Sequence, residues 1–512
     1  MTELTPADNI AAQPGAYSFT GPSFAGHPLG LYVLFLTEMW ERFTFYGMRA
    51  LLVLFMVNEM HKADDDANLI YGAYQALVYA LPLFGGMIAD KLLGHRRAIY
   101  FGGLTMALGS ILLAAPYEWT FYLGMGFVAC GNCYFKPNIS TIVGDLYPEG
   151  DPRRDSAFTI FYAGINIGAL GGGALCGWIA YAPWGGWHVA FGSASIFLLF
   201  GLVIFTYGKR YLPGLGYSPN PALLNSHVIG PVTWEWTIYG CSLLMVPIFA
   251  LLLINYQAMD YIFNPLALIA LIFLILQAFA LPTKRERNKL LAAIVLIVFS
   301  VLFWGFYEQG GGSLNLYTER NVNLNILGIT FNPASVNNSL NPLMVIFLSP
   351  LFAFIWPALE RKRLNPSTPL KFVFGLLLLG LGFYTFVWGG RNAEAGVVPI
   401  LYFVLGYLFL SAGELCLSPI GLSMVTNLSP ARLVGMMMGA WFLASAMGQF
   451  VAGKIGALMA MPESSTNGPI DPLQSLPIYS GMFQYIGMVS IGASVVLLLL
   501  VPLLKRWMDD VH

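Results

Sequence analysis

The decisive stretch is EMWERFTFYGMR at residues 38–49, which lies inside a hydrophobic run over about residues 29–57. Two glutamates and two arginines in one membrane-spanning helix would each cost roughly 2.5–3.5 kcal/mol at the centre of the bilayer. Counted from the first glutamate, the other three follow after 3, 4 and 11 residues, so the helical repeat places all four on one face. The sequence therefore predicts a helix whose charged face is shielded from lipid.

A charged face of this kind must contact the interior of a helix bundle or a water-filled cavity. Such groups usually mark a pathway for ions or for a polar solute. A self-neutralising structural ion pair is the alternative, but it would account for one glutamate and one arginine rather than for all four. We therefore expect this face to line a transport pathway.

The composition indicates a membrane protein along most of the chain. Of 512 residues, 57% are hydrophobic and 10% are charged, whereas soluble domains carry about 25% charged residues. The net charge of -1 gives no indication of a nucleic-acid partner. The five cysteines lie in apolar segments, and CGNC at residues 130–133 is interpreted as buried thiols.

The first 26 residues contain no Lys or Arg, so residues 1–27 are predicted to be a disordered cytoplasmic leader and not a secretory signal.

Hydropathy and helix breakers predict fourteen transmembrane helices in a 6+2+6 order, since about 20 apolar residues span the hydrocarbon core. The predicted helices lie near residues 28–58, 67–90, 97–115, 119–145, 155–182, 187–208, 233–255, 259–282, 288–318, 334–359, 370–390, 398–427, 431–459 and 479–506. The loops and termini then place eighteen Lys and Arg residues on one side and three (Lys62, Arg320 and Arg391) on the other. Because cytoplasmic loops hold the basic residues, both termini are predicted to be cytoplasmic.

The expected domain organisation of this all-α polytopic protein is two six-helix bundles with an inserted helix pair. The N-terminal bundle is predicted at residues 28–212 and the C-terminal bundle at residues 287–507. Residues 213–286 supply polar linkers and, between them, a helical hairpin with almost no internal charge.

Polar residues deep in the other predicted helices are further candidates for the solute pathway. Lys136 precedes a proline, and Glu308 lies just before three consecutive glycines, which are expected to weaken the helix and to suit a bend or a close helix contact. Glu414 lies four residues before a Ser-Pro pair. The uncharged candidates are Asn166, Asn341, Trp441 and Ser445. The asparagines and the serine could instead form interhelical hydrogen bonds of about 0.6 kcal/mol each, and the tryptophan could be a packing residue or part of an interfacial belt.

The cations and carboxylates of both bundles suit a zwitterionic solute. Guanidinium and ammonium groups bind a carboxylate, while a carboxylate with asparagine side chains binds an ammonium group. A buried glutamate whose cationic partner changes as helices move can also take up and release a proton. The buried charges are divided between the two halves, which favours a two-lobed carrier over a channel with a ring of like charge.

Motifs for enzyme chemistry are absent from the sequence. It contains no G-x-S-x-G, no H-E-x-x-H and no phosphate-binding Gly-x4-Gly-Lys-Ser/Thr, and its six histidines have no metal-ligand spacing. We therefore expect neither enzymatic activity nor a metal or cofactor. A channel or a membrane-embedded enzyme is kept as the alternative class.

Several motifs resemble those of the proton-dependent oligopeptide transporters, a branch of the major facilitator superfamily. Residues 38–47 resemble the first-helix signature of this family, and GMIADKLLGHRR at residues 86–97 is similar to its loop between the second and third helices. The other similar motifs are FKPN at 135–138, FYAGINIG at 161–168, WGFYEQ at 304–309, Asn341-Pro342, GEL at 413–415 with Ser418-Pro419, and Trp441-Phe442. The resemblance covers about residues 28–506 and implies the major facilitator fold.

The resemblance implies that protons drive the uptake of di- and tripeptides by alternating access in a bacterial inner membrane. The implied partners are protons, peptides and the lipid bilayer, with no nucleic acid and no obligate protein partner. Arg42 and Lys136 would bind the peptide carboxylate, and Asn166, Asn341 and Glu414 its amino group. Tyr46 and Tyr79 would line the cavity, and Trp441 and Ser445 would contact peptide side chains or backbone. Proton coupling and an exchangeable salt-bridge network would involve Glu38, Glu41, Arg49, Lys136 and Glu308.

Two positions depart from the family pattern. Phe45 replaces a tyrosine that is common in the family, which removes a hydroxyl group and could alter peptide preference. Gly72 stands where animal members carry a histidine, so protons are expected to travel on carboxylates. A nitrate or drug carrier on the same fold is the alternative within transport. The complete Glu-x-x-Glu-Arg motif argues against an anion as the substrate.

Overall fold

The computed structural model describes residues 22–148, 150–462 and 470–508. The predicted leader falls mainly on residues 1–21, which lie outside the described residues. Its final residues differ from the prediction, because β1 (Ser23–Phe24) pairs with β2 (His27–Pro28) in an antiparallel hairpin. Both residues of the connecting turn have positive φ angles, 47° at Ala25 and 81° at Gly26, as a tight type I′ hairpin requires.

Long helices make up most of the described chain. The helices before the inserted pair are α1 (Leu29–Asn58), α2 (Asp64–Ala80), α3 (Pro82–Ile88), α4 (His95–Leu113), α5 (Glu118–Asp145), α6 (Arg153–Tyr181), α7 (Trp187–Gly208) and the short α8 (Pro221–Leu224). The inserted pair is α9 (Trp234–Ile254) and α10 (Ala258–Phe279). It is preceded by a small hairpin of β3 (His227–Ile229) and β4 (Val232–Thr233).

Seven more helices follow the inserted pair in the described chain. They are α11 (Lys284–Tyr307), α12 (Ser313–Asn321), α13 (Pro333–Arg361), α14 (Thr368–Arg391), α15 (Ile400–Leu428), α16 (Val434–Ala457) and α17 (Pro472–Met508), with a hairpin of β5 (Asn325–Ile326) and β6 (Ile329–Thr330) after α12. Among the described residues, eleven helical stretches are long and apolar enough to cross a membrane. The protein is therefore a predominantly helical membrane protein, as predicted.

Two predicted helices are interrupted where the sequence contains proline or glycine. The predicted helix 67–90 ends at Ala80 and resumes at Pro82, and a π-helical turn (Ala89–Leu93) follows it. The predicted helix 288–318 changes to a 3₁₀ turn at Glu308–Gly311 before α12 begins. The second break confirms the expected weakening at the glycine triplet, since glycine lacks the side-chain restriction that maintains helical geometry. It places Glu308 at a bend and not inside a regular helix.

Capping side chains determine where α11 and α13, two helices that carry candidate site residues, begin. The Thr283 hydroxyl accepts a hydrogen bond from the Glu286 backbone N–H at 3.2 Å and starts α11. The Asn332 side chain accepts one from Ser335 N–H at 2.7 Å, and Pro333 occupies the first position of α13. Caps of this type satisfy backbone donors that have no partner within the helix.

The described chain forms two compact units. The first unit comprises residues 22–48, 81–172 and 188–251, and the second comprises residues 49–80, 173–187 and the chain from 252 onward. These boundaries pass through α1 and α6, because residues 49–80 pack with the later helices. The predicted bundles at residues 28–212 and 287–507 stay a prediction. A Cβ atom on Gly72 of α2 would lie 2.6 Å from the Gly453 Cα of α16, so these helices meet through glycine.

The inserted helix pair contributes one helix to each unit. In the first unit, α9 contacts α4 and α5 through an Arg97–Glu235 ion pair of 3.0 Å and a Tyr134–Ser242 hydrogen bond of 2.7 Å. In the second unit, α10 is joined to α16 by the Lys454–Asp260 ion pair. Polar contacts therefore hold α9 in the first unit and the first turn of α10 in the second.

Candidate functional site

The charged face of α1 forms a buried cluster in the first unit. Glu38, Glu41 and Arg42 are 1%, 0% and 2% exposed. The Arg42 guanidinium lies between the two carboxylates, with Nε 3.1 Å from Glu38 Oε1 and Nη2 donating to Glu41 Oε1 at 2.6 Å. Glu38 Oε2 is buried without a hydrogen-bond partner among the described residues. The two glutamates therefore hold Arg42 in place, while one carboxylate oxygen retains capacity to accept a proton or a donor.

Helix α5 supplies two further polar residues to this cluster. Asn132 Oδ1 accepts a hydrogen bond of 3.2 Å from Arg42 Nη2. One turn later, Lys136 interacts electrostatically with both Glu38 and Glu41. The four ionisable groups of the cluster consist of two carboxylates and two cations, so their charges balance. Lys136 was predicted from the sequence, whereas Asn132 was not.

Aromatic residues on α1 adjoin the same cluster. The Arg42 guanidinium lies 5.1 Å from the centre of the Phe45 ring, and Phe45 packs edge-to-face on Tyr46 at 5.4 Å. Cation–π contact with Phe45 adds to the fixing of Arg42. Asn166, on α6, is buried, and its side-chain amide donates to Tyr162 O of its own helix at 3.0 Å. It lies in the first unit, and this hydrogen bond is local to α6.

The second unit contains a separate ion pair between Arg49 and Glu308. Arg49 Nε also donates to the Tyr71 hydroxyl at 2.5 Å, which in turn accepts a hydrogen bond of 2.8 Å from Gln75. These contacts join the later part of α1 and the middle of α2 to the bend after α11. Of the predicted salt-bridge network, the described contacts include the Arg49–Glu308 ion pair and the interaction of Lys136 with Glu38 and Glu41.

Glu414 and Asn341, which the resemblance assigns to the peptide amino group, are in direct contact. Asn341 Nδ2 lies 3.0 Å from Glu414 Oε2 and 3.0 Å from Ser411 Oγ. The Tyr307 hydroxyl donates to the same Glu414 oxygen. Three helices, α11, α13 and α15, therefore meet at this carboxylate. Tyr307 and Ser411 were not singled out from the sequence, although Tyr307 directly precedes Glu308 in the quoted motif.

The remaining predicted residues have local contacts in the second unit. The Trp441 ring packs against the backbone at Gly421, where a Cβ atom would collide with it. The Ser445 hydroxyl donates to Trp441 O at 3.1 Å, one turn earlier in α16. Tyr79 is half-buried near the end of α2. The structure thus places Trp441 and Ser445 on one face of α16.

A second buried ion pair in this unit was not predicted. Asp64, in the first turn of α2, accepts hydrogen bonds of 2.6 and 2.8 Å from Arg320 at the end of α12. The Arg320 guanidinium also lies 3.1 Å from the Tyr479 hydroxyl, and Met461 N–H donates to Asp64 at 3.2 Å. Sequence reasoning counted Arg320 as an outer-loop cation. Of the two residues, only Asp64 could have been noticed from the sequence, because acidic residues in the first turn of a helix interact favourably with the helix dipole.

Comparison with known proteins identifies the relatives of this arrangement. A family model described as the POT family matches residues 96–471. The peptide transporter YePEPT of Yersinia enterocolitica is 35% identical over 511 residues, which cover 96% of this chain and 97% of that protein. Dipeptide and tripeptide permease A of Cronobacter turicensis is 35% identical over 490 residues, which cover 94% of each chain.

Solved structures agree with the sequence comparison. The crystal structure of a peptide transporter named POT, in complex with sulfate, has a TM-score of 0.81 and 33% identity, covering 96% of this chain and 97% of that one. A structure that gives insights into substrate recognition in proton dependent oligopeptide transporters has a TM-score of 0.79 and 31% identity, covering 93% and 99%. These relatives are transporters and not enzymes.

Proposed function

The chain belongs to the POT family, and we propose that it is a proton-coupled symporter that imports di- and tripeptides by alternating access. The proposal includes fourteen membrane-spanning helices in a 6+2+6 order, with both termini in the cytoplasm. It places the protein in a bacterial inner membrane. The names of the relatives, which describe peptide transporters and di- and tripeptide permeases, support peptides as the substrate class.

The charge balance of the first-unit cluster is the observation that carries this proposal. Glu38, Glu41, Arg42 and Lys136 include equal numbers of carboxylates and cations. A peptide carboxylate that binds Arg42 and Lys136 adds one negative charge to this buried site. Protonation of Glu38 or Glu41 restores neutrality and releases Arg42 from one of its partners. Since an uncompensated charge is costly in a membrane interior, carboxylate binding and proton uptake favour each other.

The Glu414 site is the proposed receptor for the other end of the peptide. Asn341 and Tyr307 orient the Glu414 carboxylate through hydrogen bonds to one of its oxygens. An oriented carboxylate is a suitable acceptor for the ammonium group of a peptide. Asn166 is proposed to assist there, Tyr46 and Tyr79 to line the cavity, and Trp441 and Ser445 to contact the peptide.

The ion pairs of the second unit are proposed to close the outer side of the transporter. Arg49–Glu308 and Asp64–Arg320 both join the segment 49–80 to the later helices. In the proposed topology, the Asp64 end of α2 lies at the outer side, because the basic loops are proposed to be cytoplasmic. Protonation of Glu308 would remove its attraction for Arg49, so proton entry would favour opening of this side. Glu308 is therefore the proposed link between the proton and the conformational change.

Electrogenic uptake by purified protein in liposomes tests the proposal. A zwitterionic peptide carries no net charge, so each co-transported proton moves one positive charge inward. A potential of about 100 mV supplies roughly 2.3 kcal/mol per charge, and one pH unit adds about 1.4 kcal/mol. Both gradients together would sustain an accumulation of several hundredfold, since each 1.4 kcal/mol is about tenfold.

The decisive condition uses a potassium-diffusion potential, negative inside, without a pH gradient. Dialanine is expected to accumulate there. A symporter that moves one proton with each nitrate ion would be electroneutral and would not respond to the potential. If dialanine remains at equilibrium under the potential while a pH gradient alone drives it, the proposed coupling is wrong.

A further inference from the structure

A basic cavity lies in the first unit, away from the Arg42 cluster. It has a volume of about 730 Å³ and is lined by residues of α4, of the end of α7 and of the linker that follows α7. Its lining includes the cations Arg96, Arg97, Lys209 and Arg210, and it includes no Asp or Glu from the described residues. Its size is typical of a cavity that holds a small molecule. The lining is basic even though Arg97 is paired with Glu235 outside it, and a basic lining favours an anion as the occupant.

Two of these cations are held in place by neighbouring residues. The Arg96 guanidinium donates to the Tyr217 hydroxyl at 2.9 Å and to Leu212 O, and it lies 4.3 Å from the centre of the Tyr217 ring. Arg97 is paired with Glu235 of α9 at 3.0 Å. Because these contacts are already formed, little side-chain freedom is lost when an anion binds beside them.

The other two cations stand at the open side of the cavity. Lys209 and Arg210 are exposed residues in the 3₁₀ turn that ends α7. Their long side chains can close over a bound group without displacing any described ion pair. The N-terminus of α4, which begins at His95, adds the positive end of a helix dipole at the same place.

The position of the cavity along the helices indicates the source of the anion. Tyr207, in the last turn of α7, is 76% exposed, and Tyr100 donates to Thr206 at 3.0 Å. Tyrosines at helix ends occur where the hydrocarbon region meets the lipid headgroups. In the proposed topology this end faces the cytoplasm, whose membrane leaflet is rich in negative lipid headgroups.

We propose that this cavity binds the phosphate headgroup of an anionic phospholipid of the cytoplasmic leaflet. Arg96 and Arg97 would bind the phosphate oxygens, and Lys209 and Arg210 would cover the headgroup. The acyl chains would leave past Tyr207 along the lipid-facing side of α7. The lipid would join α4, α7 and the linker before the inserted helix pair, and so stabilise the cytoplasmic end of the first unit. The site requires the proposed orientation in the membrane but is independent of peptide transport.

The double variant Lys209→Gln with Arg210→Gln tests the site in the full-length protein. Native mass spectrometry in detergent would measure the binding of dioleoyl phosphatidylglycerol and of the matching phosphatidylcholine. Each cation near the headgroup contributes about fivefold to affinity, so the double variant is expected to bind phosphatidylglycerol about 25-fold more weakly. The unchanged protein and the double variant are expected to bind phosphatidylcholine equally.

The matched control is Arg361→Gln with Lys362→Gln, which removes two exposed basic residues at the end of α13. This control is expected to keep the phosphatidylglycerol affinity of the unchanged protein. Equal loss in both double variants would overturn the site in favour of a general attraction to positive charge. Displacement of the lipid by inorganic phosphate at equal concentration would overturn the lipid as the source of the anion. Equal melting temperatures of the lipid-free proteins would verify that the variants fold.

Discussion

Asp64→Asn is expected to weaken the proposed closed state of the outer side. Asp64 and Arg320 form two hydrogen bonds of 2.6 and 2.8 Å, and their side chains are only 4% and 7% exposed. Loss of one partner from such a pair costs about 3–5 kcal/mol, because the remaining charge is buried without compensation. When the outer ends separate, water can solvate Arg320, so the open state does not bear this cost.

The structure favours the lower end of the 3–5 kcal/mol range for the loss of one partner. An asparagine oxygen can still accept one hydrogen bond from Arg320, and the Tyr479 hydroxyl remains 3.1 Å from the same guanidinium. We therefore expect a cost of about 3 kcal/mol, which shifts the equilibrium toward the outward-open state by roughly a hundredfold. A shift of this size would convert a rare state into a readily measured one.

Pulsed electron paramagnetic resonance can measure the change. Spin labels on the exposed residues Glu59 and Asn392 would report the distance across the outer side of the second unit. Cys241, the one exposed cysteine of the five, would be replaced by serine so that labelling is restricted to the introduced sites. The distance distribution of Asp64→Asn should gain a longer component.

Asp65→Asn is the matched control, since it removes the same charge from an exposed neighbour in the same helical turn. It should leave the distances unchanged. The pair Asp64→Leu with Arg320→Met removes both charges together and should restore most of the short distance, because a buried pair can often be replaced by apolar residues. If Asp64→Asn gives the same distances as the unchanged protein, the ion pair does not hold the outer side closed.

Four further substitutions test the coupling, the orientation of the peptide and the helix contact. Glu308→Gln should abolish uphill, proton-driven uptake in liposomes but leave peptide exchange down its own gradient, since its side chain can no longer carry a proton. Normal concentrative uptake by this variant would exclude Glu308 from coupling. Arg42→Ala should weaken binding of all free-acid peptides, whereas Glu414→Ala should mainly weaken binding of peptides with a free amino group. Equal discrimination between free and N-acetylated dipeptides by both variants would contradict the orientation. Gly72→Ala should lower the unfolding free energy by about 1–3 kcal/mol, because its Cβ would lie 2.6 Å from the α16 backbone. Thermal unfolding of Gly72→Ala and of the control Gly86→Ala checks this prediction, because the Gly86 Cβ would have an ordinary 3.5 Å contact. Equal stability of the two variants would refute the prediction.

The sequence alone was sufficient to predict the membrane class and the charged face of α1. The cost of placing a charge in lipid depends on the residue type and its depth, and helical spacing is a local property. Both therefore follow from consecutive residues such as 38–49. The same local reasoning identified the bend at the glycine triplet. The family followed from several short motifs, each of which is also a local property of the chain.

The tertiary structure determined which charges meet. Glu38, Glu41 and Arg42 are neighbours on one helix, so their contact was accessible from spacing. In contrast, Arg49 pairs with Glu308 across 259 positions, and helical periodicity does not specify how two distant helices rotate and pack against each other. The sequence therefore identifies candidates for a network, while only the packing shows that Arg49 and Glu308 are partners.

The roles of Asp64, Arg320 and Gly72 also could not be predicted from the sequence. Arg320 counts as an outer-loop cation in a topology based on charge, but in the structure it is buried in an ion pair with Asp64. Gly72 was interpreted through the absence of a proton-carrying histidine, whereas in the structure its small size allows α2 to approach α16. The role of each residue depends on a neighbour that is remote in the chain, and only the folded arrangement brings that neighbour into contact.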